Sequence, residues 1–151
     1  HCGLKHIAIT FRVPVVCVNV ISYIGIFYLQ NNNICVPKKL WSKDSKRYLT
    51  FREIFESDIS TFTTSMLYED NGIEVIENTS EEIRDATTEM EMRLSGTWQS
   101  EDNDDDLQRK FKQLASKCVL PDGTLIKDII PNGIKCRVST QFLRNNNNLL
   151  N

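Results

Sequence analysis

At 151 residues the chain is long enough for one domain with a real core, burying roughly 68–70% of its unfolded surface. It is 40% hydrophobic and 25% charged with net charge −2, so it lacks the basic excess that marks a nucleic-acid binder. Five cysteines at 2, 17, 35, 118 and 136, an odd number without a CxxC pair, speak against a disulfide framework and a structural zinc site.

The first residue is His1, and the chain runs straight into Cys2-Gly3-Leu4. No basic region precedes an apolar stretch in the manner of a signal peptide. The expectation is a piece of a longer protein, cytoplasmic, with Cys17 as buried packing. Leu4, Ile7, Ala8 and Phe11 recur at helical spacing and predict a short helix over 4–12 with one apolar face. Pro14 ends it. Val13 to Leu29 is apolar enough to need a membrane test, at about 17 residues the lower bound for a span. Pro14, Asn19, Ser22 and Gly25 interrupt it, and its β-branched start reads instead as a buried parallel strand over 15–20, followed by a loop over 21–33. Ile34 to Val36 is extended until Pro37.

Thr50 with Glu53 forms a capping box, and Leu49 with Ile54 a hydrophobic staple, so a helix starts at Phe51. A second, weaker helix is expected over 59–67. Asn71-Gly72 is a turn into a short strand over 73–76 near a sheet edge. Thr79 with Glu82 is a second capping box. Ile83, Ala86, Met90 and Leu94 then give the helix its apolar face, and Gly96 its C-cap. Another helix is expected near 104–116, with Leu107, Phe111 and Leu114 inward. The acidic run from Glu101 to Asp106 reads as a solvated lead into its positive end. Residues 118–138 carry Asp122-Gly123 and Asn132-Gly133 turns and read as irregular. A last helix near 139–144 runs into a frayed tail over 145–151. Helix and buried strand in alternation predict an α/β fold, with a short parallel sheet flanked by helices in a single domain.

Three places can carry chemistry. Gly3, with Cys2, stands before a helix, where free N–H groups and the helix dipole hold phosphate; a plain cap is the other reading. Lys38 and Lys39 open a run of five positive charges that also takes in Lys43, Lys46 and Arg47. It suits a phosphate or acidic partner, or forms a solvated basic loop beside a buried Trp41. Glu69-Asp70 either reaches a sugar hydroxyl or is the polar run before the turn. The chain has no nucleophile elbow, Walker loop, HExxH or dinucleotide fingerprint.

Pro37-Lys38-Lys39-Leu40-Trp41, then Leu49 to Ile54, then Tyr68 to Thr79 resemble the C-terminal part of a family of bacterial glycosyltransferases of the GT-B type. Gln141-Phe142-Leu143 and the opening glycine turn, helix and Pro14-Val15-Val16 with Asn19 extend the likeness over nearly the whole chain. The stretch 37–55 is its most specific part. The resemblance implies the Rossmann-like C-terminal half of a two-domain enzyme, which grips a nucleotide-sugar donor against a missing N-terminal half that also meets a glycan acceptor. The product would belong to surface glycan synthesis. It places Gly3 and Cys2 at the donor phosphates and Glu69 near a hydroxyl. Cys2 stands where a small hydroxyl residue is expected, which leaves phosphate contacts to backbone N–H groups. The donor is a substrate, so the resemblance implies no cofactor; composition and spacing speak against a metal, nucleic acid and a membrane span and leave peripheral association at a membrane open. A nucleotide-sugar epimerase-like half and a non-catalytic remnant or interaction module are the alternatives. Half a cleft would be inactive alone, and its open edge would drive association.

Overall fold

A computed structural model of the chain describes Ile7, Ala8 and residues 10–151. The described fold is mixed α/β and carries two three-stranded sheets. Strands β1 (Val16–Val20), β2 (Ile34–Pro37) and β6 (Arg137–Val138) form a parallel sheet in the order β1-β2-β6. Strands β3 (Lys39–Ser42), β4 (Arg47–Tyr48) and β5 (Ile73–Ile76) form an antiparallel sheet in the order β4-β3-β5. Only Lys38 separates β2 from β3, so one extended run passes from the parallel sheet into the antiparallel one.

The central strand β2 is buried along its whole length, as a strand covered on both faces must be. β1 is a correction to the expected buried strand. It stands at the sheet edge and is half-buried throughout, Cys17 included. Its register slips between Cys17 and Val20, where Asn19 takes a left-handed conformation with φ 53°. Asparagine tolerates that conformation better than the β-branched residues around it. The expected 21–33 loop holds a 3₁₀ turn, Ile24–Tyr28, whose Ile26 and Phe27 are buried together with Tyr23.

Six helices follow in chain order among the described residues: α1 (Phe51–Phe55), α2 (Ser65–Asp70), α3 (Ser80–Ser95), α4 (Asp104–Ala115), α5 (Ile126–Ile129) and α6 (Thr140–Asn145). Both capping boxes form as read, at Thr50 with Glu53 and at Thr79 with Glu82. Gly96 closes α3 at φ 73°, a backbone that glycine adopts without a Cβ penalty. The single helix expected over 59–67 is split. A 3₁₀ turn spans Asp58–Thr61, and α2 begins only at Ser65. Tyr68 is the anchor of α2. Its hydroxyl donates to Ile21 or Phe62 carbonyl oxygens at 3.1 and 3.2 Å, and burial pushes its pKa up to about 12.

An aromatic cluster ties the helices to the sheets. Phe51 and Phe55 of α1 meet Phe111 of α4 edge-on at 4.9 and 5.6 Å, and both rings meet Tyr23. α3 packs on β1, β2 and α6. Its buried face differs from the expected one. Glu82, Ala86, Glu89 and Met90 point inward, whereas Leu94 is 65% exposed. The first helical turns also depart from expectation. Ile7 and Phe11 are exposed, and Leu4 lies outside the described residues. The tail is not frayed either. Asn147–Leu150 forms a 3₁₀ turn that buries Leu149 and Leu150. No described helix is long and apolar enough to cross a membrane.

Candidate functional site

The carboxyl end of the parallel sheet gathers residues from three distant segments. Asn19 ends the regular part of β1, Lys38 and Lys39 lie where β2 becomes β3, and Glu77-Asn78-Thr79 lead from β5 into α3. Asn19 and Asn78 clasp each other's backbone. Asn19 N–H donates to Asn78 Oδ1 at 2.6 Å, and Asn78 N–H donates to Asn19 Oδ1 at 2.7 Å. Asn78 also donates from Nδ2 to the Pro37 carbonyl at 3.0 Å. One buried amide thus fixes β1, β2 and the start of α3 relative to one another.

The two lysines are not a solvated loop, which corrects that expectation. Lys38 Nζ pairs with Glu77 at 2.5 Å, and Lys39 Nζ pairs with Glu82 at 2.7 Å. Both lysine stems are largely covered while their heads reach carboxylates. The Lys39 pair is shielded, with side chains 13% and 9% exposed; the Lys38 pair is open on its Glu77 side, at 68%. The Lys38 carbonyl accepts the Tyr23 hydroxyl, and burial pushes that phenol's pKa well up, so Tyr23 stays neutral. Trp41, expected to be buried, is half-exposed and stacks edge-on with Tyr48 at 5.2 Å.

Glu69 is not part of this cluster. It is exposed on α2, and α2 enters β5 at Ile73, whereas Lys39 pairs across the sheet with Ile76. The length of β5, roughly 10 Å at a strand's rise per residue, separates them. Gly3 and Cys2 lie outside the described residues.

Three further features escape the sequence pattern. The acidic run is not all solvent. Asp104 is 1% exposed and takes Arg144 through both oxygens, at 2.8 and 2.6 Å. Burial works against its carboxylate, yet the Arg144 guanidinium and the Glu101 N–H hold its pKa below the ordinary range. Glu89, also 1% exposed, accepts Thr140 N–H and Oγ1–H at 2.7 Å each, and Arg93 Nε–H at 2.9 Å. It caps α6 from the middle of α3. Cys35 and Cys136 place their sulfurs 3.8 Å apart as free thiols. The bond to Cys136 and burial both raise the Cys35 pKa, which makes it a poor nucleophile.

No protein-family model, curated protein or solved structure matches the chain.

Proposed function

We propose that the chain is the donor-binding portion of a GT-B type glycosyltransferase, a Rossmann-like half that receives a nucleotide-sugar at the carboxyl end of its parallel sheet. One observation carries this reading. Asn19, Pro37 to Lys39, and Asn78 with Thr79 belong to the segments on which the family resemblance rests, and they converge on that edge. Open α/β sheets take their ligands at the carboxyl ends of the strands. Lys38 is the charge best placed to meet a diphosphate, because its partner Glu77 is mostly solvated and can be exchanged for a phosphate oxygen. Lys39 is held by the shielded Glu82 and serves to fix the strand. Gly3 and Cys2 remain the proposed backbone contacts to the phosphates, and Glu69 is a weaker candidate for a hydroxyl on a different face.

Ligand-observed NMR with the common nucleoside diphosphates tests this. Saturable binding in the millimolar range, weakened about tenfold or more by Lys38→Ala, is the expected result. Absence of binding by every nucleotide at millimolar concentration overturns it. It would leave the non-catalytic interaction module, which one observation already favours: each lysine of the cluster has a carboxylate of its own.

A further inference from the structure

The opposite, amino end of the parallel sheet holds a pocket of about 450 Å³. Its wall is made by Asn33 and Ile34 at the start of β2, Arg137 at the start of β6, and Met90, Arg93 and Trp98 from α3 and the turn after it. These segments meet because β2 and β6 run parallel and α3 crosses the sheet in the reverse sense. The wall carries two arginines and no carboxylate.

Hydrogen-bond donors are left over around this pocket. Among the described residues, four buried side-chain nitrogen or oxygen atoms have no partner, and three of them belong to the pocket wall: Asn33 Nδ2, Arg93 Nη2 and Arg137 Nε. Asn33 is 1% exposed and commits its other end, Oδ1, to the Val15 N–H at 3.1 Å, so its amide cannot turn away. Arg93 commits only Nε, to Glu89. Arg137 commits only Nη2, at 3.3 Å, to Asp105, a carboxylate 87% exposed. Buried donors are nearly always satisfied in folded proteins, and three unsatisfied ones around one pocket point to an absent acceptor.

The acceptor's class follows from the wall. All three groups are donors and two are guanidinium, the geometry that holds a phosphate or carboxylate. At the helix end, whose free carbonyls would repel an anion, two are already taken: Gly96 N–H donates to the Arg93 carbonyl, and Thr97 and Trp98 N–H both donate to the Met92 carbonyl. The Arg93 guanidinium lies 4.6 Å from the centre of the Trp98 ring, which keeps it extended along the wall. Trp98, Met90 and Ile34 add an apolar surface that suits a flat ring.

We propose that this pocket binds a small organic oxyanion, a phosphate or carboxylate joined to a ring, with the charged end on Arg93, Arg137 and Asn33 and the ring against Trp98. It is separate from the donor cluster, which lies at the other end of the same strands.

Trp98 fluorescence in a Trp41→Phe background reports on it, with phenyl phosphate, benzoate, inorganic phosphate and phenol as probes. Phenyl phosphate or benzoate should saturate the signal at millimolar concentration or below, and phenol should not. Preference for phenyl phosphate over benzoate, or the reverse, identifies the head group. Arg137→Met should weaken binding about tenfold or more with an unchanged melting temperature, because its one ion pair is solvent-exposed. Lys38→Ala should leave this binding intact, which separates it from the donor site. Equal binding of phenol and phenyl phosphate, an Arg137→Met variant that binds as tightly as the parent, or no binding of either oxyanion at 10 mM (on the order of the weakest useful affinity) would overturn the proposal.

Discussion

The two ends of α3 meet the two ends of the parallel sheet and are finished in opposite ways. At the amino end of the helix, the polar groups answer one another. Thr79 and Glu82 cap the backbone, Glu82 also takes Lys39, and Asn78 joins Asn19 to the Pro37 carbonyl. At the carboxyl end, Arg93, Arg137 and Asn33 hold more donors than the fold supplies acceptors. Polar groups consumed by their neighbours fix geometry; those left over are the ones with something to offer an incoming molecule. Lys38, with its solvated partner, lies between these extremes, and that is why its charge is the most exchangeable among the lysines at the carboxyl end of the sheet.

Glu89 lies between the two ends and is the strongest way to break the contrast. Glu89→Ala removes the acceptor of both Thr140 donors and leaves Arg93 without a carboxylate partner. A loss of about 4 kcal/mol in urea unfolding is expected, the range for removing one member of a buried charged group. A loss below about 1 kcal/mol would mean that water replaces the carboxylate at no penalty. Asn78→Ala attacks the satisfied end. It strands the Asn19 N–H and the Pro37 carbonyl and should lower stability by about 2 kcal/mol, read from the shift of the same midpoint.

The helix caps sharpen the comparison because they should cost alike. Thr79→Ala removes the amino cap and Gly96→Ala forces an alanine into the left-handed region. Each is expected to lower stability by about 1 kcal/mol. Similar thermal shifts would show that the contrast resides in side-chain donors and acceptors and not in the backbone termini. The smallest effect is a pH dependence away from both ends. The Arg47 guanidinium, with help from the Thr50 N–H and hydroxyl, lowers the Glu53 pKa to about 2 against the penalty of partial burial. A lowered carboxylate pKa stabilises the fold above the unfolded value near 4.3 and is lost as pH falls from about 5 toward 2. Solvent screening at this half-exposed pair keeps the contribution below about 1 kcal/mol. Acid titration of stability should lose that part of its slope in Glu53→Gln.

Much of the local structure was legible in the residues. The two capping boxes and the Gly96 terminus depend on partners three or four positions apart, so the pattern of the chain already contains the interaction. The strand over 73–76 and the inward Phe111 and Leu114 of α4 were readable for the same reason. The apolar face of α3 was misread at its carboxyl end because periodicity counts apolar residues, and two of the four buried positions are glutamates. The acidic run was misread in the same way at Asp104. The 59–67 segment is divided by extended backbone at Phe62 and Thr64, in a stretch whose serines and threonines also bond nearby carbonyls, as Thr61 does to Asp58. The asparagine run predicts a frayed tail, but Leu149 and Leu150 pull it into the core. Of the candidate site, the nearness of Lys38 and Lys39 was visible because they are adjacent in the chain; the distance of Glu69 from them was not.

The sequence by itself determined the two capped helix starts, the Gly96 stop, the extended segments over 15–20, 34–36 and 73–76, and that parallel strands and helices would combine in an α/β fold. Those features are set by backbone hydrogen bonds and side-chain spacing within a few residues. The tertiary structure alone decided which polar side chains are buried and which are left with free donors. Glu89 finds Thr140 across 51 positions, Lys39 finds Glu82 across 43, and Asp104 finds Arg144 across 40. A carboxylate can be buried only where the fold supplies a partner in place of water, and no local pattern encodes a partner so far away. The same rule governs the pocket at the amino end: Asn33, Arg93 and Arg137 are unremarkable in the chain, and only the crossing of α3 over the sheet makes them neighbours.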